Sequence, residues 1–166
     1  MPCAPVPETN YLLEIGKILL TAALSAGLSG VWVSRWKAST DQADKRIDDL
    51  CSDIAKLADL GSEYWITPQT DPKIPVLQAR ISSGLVRIAS IRVSLAGLVK
   101  GLANDRLVQA EANFSRAMTG GEFGVHNRTV SAETAAAVQH VASALIVQIR
   151  RERMEALQQW WFLPRV

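Results

Sequence analysis

Arginine is the residue type in this chain with the clearest capacity for specific recognition. A guanidinium is a planar, permanently charged fork whose donors match the oxygens of a phosphate or carboxylate. Arg80 and Arg87 stand seven residues apart, on one face of any helix that carries both, and Arg92, Arg150 and Arg151 can join them if their helices pack side by side. These five are the candidate residues for an anion or an acidic partner. Salt bridges to acidic residues of the same chain are the ordinary account of such arginines, and the favoured one.

The remaining reactive residues are dispersed. His126 and His140 are fourteen residues apart, with no Cys, His or carboxylate at the spacing a metal ion needs. Ser115 and Ser131 have no base nearby in the sequence, and no GxSxG elbow occurs. The TGGEFG stretch at 119–124 lacks the pattern of a phosphate loop and reads as a helix-ending turn. Asp44, Asp48 and Asp49 can face a cation, but as the solvated side of a helix they need no such role. Cys3 and Cys51 match neither a disulfide framework nor a metal motif. Asn113 and Asn127 sit in glycosylation-type triplets that a cytoplasmic domain never exposes to that machinery. No catalytic residue, cofactor or metal is expected, and the chain is not expected to be an enzyme.

The elements that must position the arginines are helices. From Ile18 to Val33 sixteen residues carry no charge. Sixteen helical residues cover about 24 Å, short of the roughly 30 Å hydrocarbon core, and the apolar positions from Tyr11 make up the difference. Tyr11 at one end, with Trp32 and Trp36 at the other, occupy the places of interfacial aromatics. The ten residues before Tyr11 contain no Lys or Arg, so an uncleaved anchor is expected rather than a signal peptide. Arg35, Lys37, Lys45 and Arg46 follow the stretch closely, and the positive-inside rule then puts the C-terminal part in the cytoplasm, below a cell (inner) membrane. A buried helix of a soluble bundle, or one lying in the interface plane, is the alternative. Ala22, Ala26 and Gly30, with Ala23 and Gly27 beside them, form the small-residue rows that let helices approach closely in lipid.

Beyond it, Val33, Trp36, Thr40, Ala43, Ile47, Leu50, Ile54, Leu57, Gly61 and Tyr64 recur at steps of three and four, a heptad seam. Seven Asp and Glu lie between Asp41 and Glu63, against Lys45, Arg46 and Lys56. Pro68, Pro72 and Pro75 break the pattern. A second seam runs through Leu77, Ile81, Gly84, Ile88, Ile91, Leu95, Leu98 and Leu102, and from Val76 to Leu102 the only charges are Arg80, Arg87, Arg92 and Lys100. An acidic helix followed by a basic one predicts an antiparallel hairpin. A third helix is expected over 103–118, using Leu107, Ala110, Phe114 and Ala117. Ser131 is the expected N-cap of the last, which uses Val138, Val141, Ala142, Leu145 and Ile149. Its end carries Trp160 and Trp161, suited either to a headgroup interface or to closing the bundle core.

The expected architecture is therefore all-α: a tail at 1–10, a single transmembrane helix at 11–36, an antiparallel bundle of about four helices at 37–163, and a tail at 164–166. Residues 1–75 have a charge balance of −3 and residues 76–166 one of +5, an asymmetry that suits two halves packing together or a basic partner-binding half. The partners implied are a lipid bilayer, further copies of the chain and a cytoplasmic protein; nucleic acid or nucleotide is the less favoured choice at a net charge of +2. In layout the chain resembles small membrane effectors of bacterial defence or toxin systems, whose assembly perturbs the membrane. The alternatives are a tethered module that reads a phosphate-bearing ligand or acidic partner through its arginines, and a non-catalytic scaffold.

Overall fold

A computed structural model describes the backbone of residues 9–97, 102 and 104–162, and the side chains of 34, 35, 37–97, 102 and 104–158. Among the described residues there are four helices and no strand: α1 (Thr9–Ile66), α2 (Ile74–Ala96), α3 (Asp105–Thr119) and α4 (Ala132–Phe162). Two units are distinguished, 1–42 and 43–166. The side chains of Tyr11, Ala22, Ala23, Ala26, Gly27, Gly30, Trp32, Trp36, Trp160 and Trp161, and all those of the uncharged stretch 18–33, lie outside the described residues. Among those that are described, no helix is long and apolar enough to cross a membrane.

The second unit is an antiparallel helical bundle. Its first helix is the C-terminal part of α1, where Ile47, Leu50, Ile54, Leu57 and Tyr64 are buried at the predicted steps. Cys51, Ala58 and Trp65 are buried too. They stand one residue beyond Leu50, Leu57 and Tyr64, so the apolar stripe is wider than a two-stranded seam. The extra width has a cause: this helix packs against α2 on one side and α4 on the other.

Pairing direction is read from contacts between the helices. Asp53 meets Arg87, Leu57 meets Gly84 and Tyr64 meets Gln78, so numbers fall along α2 as they rise along α1. Likewise Asp44 pairs with Arg153, Asp59 with Gln139, and Ser62 with the Ala135 carbonyl, so α4 also runs opposite to α1. The expected hairpin of acidic and basic helices is present.

Local signals explain the helix ends. α2 starts at Ile74 with Pro75 in its first turn, where a missing N–H costs nothing. It stops at Gly97, five residues short of the predicted end of its seam, and Leu102 is buried from a turn beyond the helix. α3 is capped by Asn104, whose Oδ1 accepts from the Arg106 N–H at 3.1 Å. Ser131 caps α4 as expected, its Oγ accepting from the Thr134 N–H at 3.1 Å. In the turn between α3 and α4, Gly121 and Gly124 take φ of +62° and +81°, a region that disfavours any side chain.

Candidate functional site

The arginines singled out by type divide among three settings. Arg80 and Arg87 do share one face of α2 and line a groove of about 350 Å³ between α1 and α2. Its floor is Leu57, Leu60, Gly84 and Ile88, and its rim carries Lys56, Asp53 and Ser83. Gly84 lets α1 and α2 approach closely at this floor: a Cβ there would lie 2.6 Å from a Leu57 methyl carbon. Arg87 Nη2 reaches Asp53 Oδ2 at 2.6 Å. Arg80 and Lys56 form no ion pair among the described residues, so the groove holds three cations against one carboxylate.

Arg92 faces the other way, in a half-buried ion pair with Glu111 of α3. On α4, Arg150 lies 3.9 Å from Asp48 of α1, and Arg151 turns to Glu155 one helical turn along, at 2.8 Å. Arg92, Arg150 and Arg151 thus do not join Arg80 and Arg87. Intrachain carboxylates take four of the five, the ordinary account of such residues. Exposed pairs of this kind contribute little stability, about 0–1 kcal/mol each. Arg153 makes a better-enclosed contact with Asp44, at 2.7 Å.

Cys51 is 4% exposed beneath Arg150. Burial pushes its thiol above the ordinary range, with Arg150 partly opposing the rise. His126 and His140 are both exposed, on the α3–α4 turn and on α4. Among the described residues no three His, Cys, Asp or Glu side chains converge as a metal ion requires.

Among the described residues two charged side chains are buried, and the first is Arg128, which nothing in the sequence pattern singled out. It is 5% exposed, with its guanidinium carbon 4.3 Å from the Tyr64 ring centre and 5.5 Å from that of Trp65. Its Nη1 donates to the Trp65 carbonyl at 3.2 Å and its Nη2 to the Thr67 carbonyl at 2.6 Å. Those carbonyls lie in the last turn of α1 and one residue beyond it, where helical partners run out and the helix dipole favours a cation. Ser131 N–H donates to the same Trp65 carbonyl, and Gly124 N–H to the Tyr64 hydroxyl. Phe123 packs 5.0 Å from the Tyr64 ring. The loop between α3 and α4 is therefore a cap on α1, and Arg128 is its fastener. The one available signal was a lone cation just after a glycine turn with an aromatic in it.

Glu152 is the other buried charge, 4% exposed. It accepts from Asn104 Nδ2 at 3.1 Å and Gln148 Nε2 at 2.6 Å, so the residue that caps α3 also ties that end to α4. Both buried charges thus have structural employment. The groove of Lys56, Arg80 and Arg87 gathers three cations around one carboxylate. No protein-family model matches the chain, and neither a curated protein nor a solved structure is significantly similar to it.

Proposed function

We propose that this chain is a non-catalytic, membrane-anchored protein that self-associates through its N-terminal helix, with the helical bundle governing that assembly on the cytoplasmic side. One observation carries the reading: the uncharged Ile18–Val33 stretch, with its rows of small residues, belongs to the same helix that supplies one side of the bundle. Small-residue rows associate in lipid by close packing, where no hydrophobic gain separates one helix from another. Perturbation of the membrane on assembly, as in effectors of defence or toxin systems, is the activity this layout suits.

The test has two parts. The full chain is expected to stay with membranes through a high-salt or carbonate wash, and its induction to raise inner-membrane permeability. In detergent it is expected to form discrete oligomers whose mass falls on Gly27→Leu, where a larger side chain would part the helices. A chain that disperses freely without lipid, or that is monomeric in detergent before mutation, would sink the proposal.

A second reading has its own support in the unmatched charge of Arg80 and Lys56. It makes the groove between α1 and α2 a site for a phosphate-bearing ligand or an acidic partner, read through guanidinium forks. Inorganic phosphate or pyrophosphate is then expected to raise the melting temperature of the chain, and Arg80→Glu to abolish that rise. Equal responses in both chains would remove the reading.

A further inference from the structure

Besides the groove, the outer side of α2 is a surface that packing within the bundle leaves unexplained. Between Ile74 and Ala96 the only charges are Arg80, Arg87 and Arg92, and Arg92 is turned inward to Glu111. The exposed positions repeat with a period of their own. Val76, Ser83, Ser90 and Gly97 recur every seven residues, and Ala79, Val86 and Val93 stand between them at steps of three and four. All seven are exposed, Val76, Val86 and Val93 to 57%, 68% and 62%. This is a second heptad seam on the face opposite the one that fills the core. A lone exposed valine needs no explanation, but three in a continuous uncharged stripe do.

The serines of this face are already prepared for burial. Ser83 Oγ donates to the Arg80 carbonyl, Ser90 Oγ to the Val86 carbonyl and Ser94 Oγ to the Ser90 carbonyl, at 2.9–3.1 Å. Covering these three would leave none of their hydroxyls without a partner, so the usual cost of burying a polar group is absent for them.

We infer that this outer seam of α2 is the contact between copies of the chain, with the α2 helices of neighbouring copies running parallel. The charge pattern selects the direction. Arg80 and Arg87 flank the seam on one edge only, while Ser82, Ala89 and Ala96 form the other. A parallel pair sets each arginine edge against a neighbour's uncharged edge, whereas an antiparallel pair sets arginine edge against arginine edge. Copies anchored in one membrane with a common orientation meet in the parallel sense.

Size selects the occupant. From Val76 to Gly97 the seam is about 32 Å long, and small side chains on one helix face fall well short of the roughly 800 Å² per partner that a stable interface buries. Such a face cannot hold a partner recruited from dilute solution. It suffices for chains already held together elsewhere, where the effective concentration is about millimolar. The inference in that sense rests on the self-association proposed above.

Oxidative cross-linking in membranes carrying the full chain tests it. In a Cys3→Ser background, Val86→Cys and Val93→Cys are each expected to give a disulfide dimer with itself, because facing Cα atoms within about 7 Å can be bridged. Val147→Cys, equally exposed on α4, and the background chain with its buried Cys51 set the baseline. Adding Val86→Glu is expected to lower the Val93→Cys dimer at least fivefold. The inference is overturned if neither cysteine exceeds the baseline while Gly27→Leu still lowers the oligomer mass. It is also overturned if Val93→Cys links only to Ala79→Cys, the antiparallel signature, or if both cysteines capture a foreign protein instead. Cross-linking that survives Gly27→Leu upholds the seam and counts against association through the N-terminal helix.

Discussion

Arg128 shows what a single side chain contributes here. Its guanidinium satisfies the carbonyls of Trp65 and Thr67 at the end of α1 and lies against the Tyr64 ring. Removing it takes the charged donor from one buried and one part-buried carbonyl and removes a cation–π contact, each worth about 1–2 kcal/mol. Arg128→Leu is therefore expected to lower the unfolding free energy by about 2–4 kcal/mol, measured by urea titration. Arg128→Lys is expected to recover less than half of it, because a point charge cannot serve both carbonyls as a fork does. If Arg128→Leu leaves the urea midpoint unchanged, the loop is not the fastener described.

At the level of elements, two glycines separate close packing from spare room. Gly84 faces Leu57 at the contact of α1 with α2, and Gly61 faces Met118 of α3. A Cβ at Gly61 would come within 2.4 Å of Met118 Sδ, but a methionine end can swing aside. Alanine also gains about 1 kcal/mol of helix propensity over glycine, so Gly61→Ala is expected to be neutral within about 0.5 kcal/mol. At Gly84 the neighbour is a branched leucine seated in the core. Gly84→Val is expected to cost about 1–3 kcal/mol through overpacking. Thermal melts of the two variants check the contrast, and equal effects would contradict the packing described for the two sites.

For the whole molecule, the core described for the bundle is built from residues of the second unit, 43–166. Its buried residues run from Ile47 to Ala156 and draw on all four helices. Residues 43–166 expressed alone are expected to be largely helical and to unfold in one transition, followed by circular dichroism. They are also expected to sediment as a monomer, since the outer seam of α2 is too small to hold free copies together. A stable dimer of this fragment would mean that the seam, or another face, is stronger than its dimensions allow.

The sequence by itself determined the helices, their order and the hairpin of acidic and basic faces, because periodicity and proline are local and charge sign is carried by composition. It also marked Ser131 as a cap, since capping needs only the residue and the turn after it. The N-terminal stretch remains a reading of sequence alone. Tertiary structure decided the rest. Only packing tells which arginines have a carboxylate opposite, so the five-member group of Arg80, Arg87, Arg92, Arg150 and Arg151 resolved into three settings. Cys51, Ala58 and Trp65 joined the core because α1 has two neighbours, which its own heptads do not record. Arg128 meets Trp65 and Thr67 across more than sixty residues of chain. A contact of that span leaves no local pattern, because it is selected by where the loop lands.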